Sequence, residues 1–250
     1  MPVPGNETTR AIRGLLKQAE SARDAGDHEL GGRLLERCIE LDDGTDADVS
    51  GDADRPPFRL RPYMILAENL LQRGDAGRAL ALLTRALERW PGDPDLHMLL
   101  GQSYAARDDW EHAVQSYRRS FDLDQRAYVC ILLASALDKL QRPHEAWWWL
   151  RHSLVVDPDY EESHYNLGCL DVRRGDNDAA DQHFRRALEL DPAYADAHRE
   201  LGALLLARAR TAPAPTAHQD WRPAFEHLSR ATELAPDDDR SRSLLAAMRE

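Results

Sequence analysis

Lysine is nearly missing from this chain: two of the 250 residues are Lys, against thirty Arg. Basic residues are outnumbered by acidic ones, 32 to 44, for a formal net charge of -12. Binding to a polyanion needs clustered cations, so this balance excludes a nucleic-acid footprint and docking on an anionic membrane. Because lysine codons are AT-rich, the arginine excess points to a GC-rich bacterial genome. Cysteine is scarce as well. Cys38, Cys130 and Cys169 are odd in number and far apart, which suggests free thiols in a reducing compartment and not a disulfide frame. No apolar run reaches the length of a membrane helix, and residues 1–10 carry neither an apolar signal core nor a lipidation motif. The expected location is therefore cytoplasmic. Catalytic and metal signatures are missing too: the chain holds no His-Glu-x-x-His, paired Cys-x-x-Cys, Gly-x-Ser-x-Gly or phosphate-binding glycine loop. A non-catalytic protein with no cofactor and no metal is expected.

What the chain does contain is a period. Ala79, Ala113, Ala146, Ala180 and Ala224 are spaced by 34, 33, 34 and 44 residues. Ala86, Ser120, Ser153, Ala187 and Ala231 repeat those intervals seven residues later, and Pro91, Gln125, Pro158, Pro192 and Pro236 mark the ends of the units. One supersecondary unit is copied along the chain, each copy burying its face against its neighbours. In residues 161–194, Gly175 and Asp176 predict a turn between two helices. Ala180, Phe184, Ala187 and Leu188 share one helical face, and Asp191-Pro192 stops the second helix. Three of the ten histidines, His97, His164 and His198, recur at one repeat position that Tyr63 and Cys130 fill elsewhere, so architecture accounts for them.

Residues 161–194 resemble the tetratricopeptide repeat. His164, Leu167-Gly168, Asp171, Ala180, Phe184, Ala187 and Pro192 stand at that family's signature offsets, with departures from the aromatic preference at His164 and Asp171. Four further copies, 60–93, 94–126, 127–160 and 195–236, are in phase with it. The resemblance implies an all-α, right-handed α-solenoid (superhelix) of about six helical hairpins plus a C-terminal capping helix. Residues 1–43 are expected to form a degenerate first hairpin, 44–59 an acidic, proline-containing linker loop, and 237–250 the cap. The last copy is ten residues too long, and its excess is expected as a loop insertion at 210–219. Within the linker, Asp46, Asp48, Ser50, Gly51, Asp52 and Asp54 follow the start of a calcium loop, but Pro57 stands where a bidentate Glu is required. The expected reading is a solvated acidic loop.

In this family the first helices line a concave groove. By that resemblance the groove residues are Met64, Ile65, Met98, Leu99, Gln102, Tyr128, Ile131, Leu132, Tyr165, Asn166, Arg173 and Arg199. The segment 127–137 is apolar on nearly every face, and a helix of that kind needs a second cover besides its own hairpin. That cover could be a partner segment, a helix of the same chain or a twin subunit. The expected function is an adaptor or scaffold that grips a peptide or helix of a protein partner, apolar in the middle copies and polar toward the end. Alternatives are a regulatory or inhibitory subunit of a partner enzyme, or a chaperone for one client. Of Trp147, Trp148 and Trp149, helical geometry turns Trp148 away from the core. It is expected to contact a partner or a second copy of the chain, which would make a homo-oligomer.

Overall fold

The structure, a computed structural model, describes residues 4–43, 57–211 and 214–248. The calcium-loop positions from Asp46 to Asp54 lie outside the described residues. All regular structure among the described residues is α-helical. The chain divides into two compact units, residues 1–125 with 139–141, and residues 126–138 with 142–250.

The first unit holds α1 (Pro4–Asp24), α2 (His28–Asp43), α3 (Pro57–Gln72), α4 (Ala76–Arg89), α5 (Pro94–Ala105) and α6 (Trp110–Leu123). Aspartates start four of these helices, the first being Asp27, whose Oδ1 accepts from the Leu30 amide at 2.9 Å ahead of α2. Asp75 accepts from the Arg78 amide, Asp93 from the Asp95 and Leu96 amides, and Asp109 from the His112 amide. Each satisfies amide groups that have no partner within the helix.

The second unit holds α7 (Ala127–Lys139), whose last residue groups with the first unit, then α8 (Pro143–Val156), α9 (Glu161–Arg174) and α10 (Asn177–Leu190). It ends with α11 (Ala195–Thr211), α12 (Ala214–Leu234) and α13 (Asp239–Ala246). Gly175 closes α9 at φ 79°, a left-handed conformation that suits glycine.

The two small-residue ladders lie where helix axes meet. Ala79, Ala113, Ala180, Ala224, Ala86 and Ala187 are all fully buried, as are Ser120 and Ser153. The glycines of the repeat have a matching cause. A Cβ on Gly101 would lie 2.5 Å from the Tyr117 ring, on Gly168 2.6 Å from the Phe184 ring, and on Gly202 2.7 Å from Leu228. Each first helix therefore offers a bare backbone to one large side chain of the second.

The expected loop insertion at 210–219 is corrected. Helix α11 runs on to Thr211 and α12 begins at Ala214, so the extra residues lengthen both helices of the hairpin. Leu204, Leu205, Leu206 and Ala209 carry α11's apolar surface towards its C-terminal end, and all four are buried. Pro215 falls in the first turn of α12, where its missing amide hydrogen costs no helical hydrogen bond. Helix α13 then closes the unit. Asp238 caps it by accepting from the Arg240 and Ser241 amides, and Ser241 and Met248 are buried beneath it.

The recurring histidines tie copies together. Nε2 of His97, His164 and His198 lies 3.0, 3.1 and 3.2 Å from the carbonyl oxygen of Pro91, Pro158 and Pro192, the residues that end the preceding copies. In the second unit their Nδ1 atoms face a second ring, His183 Nδ1 at 3.3 Å from His164 and His227 Nδ1 at 2.8 Å from His198. With Nε2–H of His164 and His198 donating to a carbonyl, their Nδ1 atoms in the neutral tautomer accept from His183 and His227. Burial, with the neighbouring ring second, pushes the imidazole of His227 down to about 4. Burial lowers His183 and His198 as well. Their folded pKa values lie below the ordinary 6.5, so this stabilisation is whole above that pH and is lost as pH falls towards 4. Amide hydrogen exchange in α11 and α12, corrected for intrinsic rates, is expected to accelerate across that window, and His227→Phe should flatten the change. Constant protection would contradict the assignment.

Candidate functional site

In the first unit the structure places Met64 and Ile65 on α3 and Met98, Leu99 and Gln102 on α5. Met64 and Ile65 are half-buried against the core that Leu66, Leu70, Leu96 and Leu99 build. Ile65 also lines a closed crevice beside Ala19, Gly31, Leu35 and Asn69. Leu99 is corrected: it is 2 % exposed and belongs to the core. It shares a helical face with Leu96 and Ser103, three before and four after, and both of these are fully buried. Met98 and Gln102, one residue before and three after it, remain half-exposed.

In the second unit, Ile131, Asn166 and Arg173 meet. They line one trough with Ser135 and Asp138 on the α7 side, Cys169 and Leu170 on the α9 side, and Ala146 and Leu150 of α8 as floor. Its free volume is about 130 Å3. An ion pair closes one end, Arg173 Nη1 donating to Asp138 Oδ2 at 2.7 Å. Asn166 donates to the Glu162 carbonyl at 2.7 Å, which fixes its amide on the wall. No residue of α13 lines this space, so the chain's own cap leaves it open.

Beyond the trough, the outer surface of α7 is apolar. Tyr128 is 41 % exposed, and Ile131 and Leu132 are half-buried. Tyr165 does not line the trough; it packs on the core of the unit, its ring 5.0 Å from that of Tyr194 and 6.1 Å from that of Phe184. Burial raises the pKa values of its hydroxyl and of the Cys169 thiol and holds both groups in their protonated forms. The other two thiols are also free, and burial pushes Cys38 up to about 11 and Cys130 up to about 12. Protonated, buried thiols are poor nucleophiles and poor metal ligands. Among the described residues no group of three or more His, Cys, Asp or Glu side chains could hold a metal ion.

Arg199 is also corrected. Its side chain is 15 % exposed and donates to Asp196 at 2.5 Å, to Glu200 at 3.2 Å and to Asp238 at 3.1 Å. Glu200 in turn takes Arg240 at 2.7 Å. Arg199 therefore fastens the start of α13 to α11. Asp238 lies 39 residues away in sequence, so spacing along α11 alone could not reveal the pairing.

On α8, Trp147 and Trp149 are half-buried, while Trp148 is 52 % exposed and stacks on His152 at 4.9 Å between ring centroids. Sequence reading missed a second feature of this helix. The guanidinium carbons of Arg151 and Arg174 lie 4.8 and 5.3 Å from the centroid of the Trp147 ring. The spacing of Trp147 and Arg151 by four residues was the available signal.

Two family models match the chain. The middle TPR-like domain of cilia and flagella-associated protein 70 matches residues 130–248, and a tetratricopeptide repeat model matches residues 70–134. No curated protein sequence matches. Several solved structures share the fold. YrrB, described as a TPR protein with an unusual peptide-binding site, is 21 % identical with a TM-score of 0.54, over 86 % of this chain and 98 % of its own. A tetratricopeptide repeat protein from Parabacteroides merdae is 13 % identical with a TM-score of 0.62, over 96 % and 100 %. The APC/C hetero-tetramer Cut9–Hcn1 is 14 % identical with a TM-score of 0.68, over 96 % of this chain and 43 % of that one. With its buried ladders of small residues, its glycine-to-ring contacts and two adjoining repeat models across residues 70–248, the chain belongs to the tetratricopeptide repeat family.

Proposed function

We propose that this protein is a non-catalytic scaffold that holds an apolar peptide or helix of a protein partner against α7 and over the trough between α7 and α9. The observation that carries the reading is the outer surface of α7, where Tyr128, Ile131 and Leu132 keep apolar area in water beside an open trough. Burying such surface is favourable at roughly 25 cal/mol per Å2, and a flat apolar strip with polar ends suits a partner helix or extended segment. Asn166 and the Arg173–Asp138 pair supply the polar end. On the first unit, Met64, Ile65, Met98 and Gln102 would offer a contact of their own, and exposed Trp148 would serve a further contact, with a partner or another copy of the chain. The peptide-binding site named for YrrB is consistent with this use of the fold. Among the described residues no helix is long and apolar enough to cross a membrane, and a cytoplasmic scaffold fits the sequence best.

The test is Ile131→Glu. A carboxylate in the middle of the strip would be desolvated by any apolar partner, at a cost of about 2 kcal/mol or more. Capture of the partner in affinity purification from the source cell is expected to fall by at least about 10-fold, with helical content by circular dichroism unchanged. Undiminished capture would refute the assignment.

A further inference from the structure

A second opening lies on the other side of α9. Around that helix, Asn166, Cys169 and Arg173 face the trough, whereas Leu167, Asp171 and Arg174 point about 100° away from them. The latter meet Trp147, Arg151, Leu154 and Val155 of α8 and His183 of α10 around a cavity of about 530 Å3. That volume is in the range of sites for small ligands and short peptide anchors.

Two arginines stand at its mouth. In the same unit Arg142, Arg173, Arg185, Arg186, Arg199 and Arg240 each reach a carboxylate. Arg151 and Arg174 reach none. Both are exposed and lie over the face of Trp147, and Asp171 acts on them through space without a direct ion pair among the described residues. Neither carboxylate in the lining pairs with them directly. Asp176 accepts from the Ala179 amide as the cap of α10, and Asp171, 5 % exposed, lies 3.7 Å from His183 Nε2. Two guanidiniums left open in a chain of net charge -12 call for an anion from outside.

We infer that this cavity is a docking site for an acidic segment of a partner protein, taking a Glu or Asp carboxylate on Arg151 and Arg174. An apolar neighbour of that carboxylate rests on Leu154 and Val155. Arginine pairs bind carboxylates through paired N–H donors, and stacking on Trp147 holds the two guanidiniums ready. Asp171, which acts on both guanidiniums through space, offsets part of their charge, so a single carboxylate matches the site better than a dianionic phosphate. Val155 is 74 % exposed and lies one helical row from His152 and Trp148, so an apolar strip continues outward from the cavity.

The test uses an end-capped, fluorescein-labelled peptide of alternating glutamate and leucine, with a glutamine counterpart and a phosphoserine counterpart. In fluorescence anisotropy with the full chain, the glutamate peptide is expected to bind and the glutamine peptide to bind at least about 10-fold more weakly. The double variant Arg151→Gln/Arg174→Gln, which changes only exposed side chains, should lose about the same factor. Ile131→Glu should leave this binding intact, which separates the site from the trough between α7 and α9. Equal affinity of the double variant and the native protein would overturn the inference, as would failure of the glutamate peptide to bind. Tighter binding of the phosphoserine peptide would overturn the carboxylate assignment.

Discussion

Phe184→Ala is expected to destabilise the second unit by about 3–5 kcal/mol. The ring is fully buried and belongs to the core with Leu201, Leu205 and Leu228. It also covers Gly168, whose backbone comes so close that a Cβ there would lie 2.6 Å from the ring. Truncation would remove the dispersion contacts of the ring and leave a cavity that two rigid helices cannot collapse to fill. The reciprocal change, Gly168→Ala, forces the same ring aside and should cost about 1–3 kcal/mol. Because both act on one contact, Gly168→Ala combined with Phe184→Leu should cost less than the sum of the two alone. Urea unfolding followed by circular dichroism measures all of these. An unchanged midpoint for Phe184→Ala would mean that the repeat contact is not where the stability resides.

Arg89→Leu should cost the first unit about 3 kcal/mol, through a different mechanism. Asp42 is 2 % exposed, and Arg89 Nη1 donates to its Oδ2 at 2.5 Å, with Arg59 at 3.5 Å from the other oxygen. Burial raises the Asp42 carboxyl's pKa, and the two guanidiniums pull it back only in part. Removing Arg89 would strand much of that charge in a dry setting. It would also remove the cation over the Trp90 ring, 4.9 Å from its centroid. The double change Asp42→Leu/Arg89→Met removes both charges and should recover most of the loss, since a buried pair roughly breaks even against apolar residues of its size. The double variant unfolding as readily as Arg89→Leu alone would show that the pair itself, and not the stranded carboxylate, holds the site together.

The fold was legible because its decisive contacts are local and periodic. An Ala or Gly at a fixed step leaves a mark in the sequence, and Gly168 is one such mark, although the ring that faces it, Phe184, is identified only by the packing. The length of the last hairpin was not. Proline and alanine between Arg210 and Gln219 suggest a loop, yet Leu204 to Ala209 carry an apolar stripe that needs continued helix to be buried. For the candidate site, position within a copy was a fair guide to which helix face a residue joins, but not to what lies across from it. Leu99 follows Leu96 into the core. Arg199 is taken by Asp238 across 39 residues, and Arg174 meets Trp147 from another helix. Such long-range pairings depend on how helices settle against each other, which spacing along one helix does not encode.

A photo-reactive phenylalanine analogue in place of Leu132, activated in the source cell, tests the central claim most directly when the adducts are mapped by mass spectrometry. The account predicts that adducts concentrate on one apolar segment of a partner protein, and that they vanish when Ile131→Glu is added. Adducts only within the chain itself, or an adduct pattern indifferent to Ile131→Glu, would contradict it.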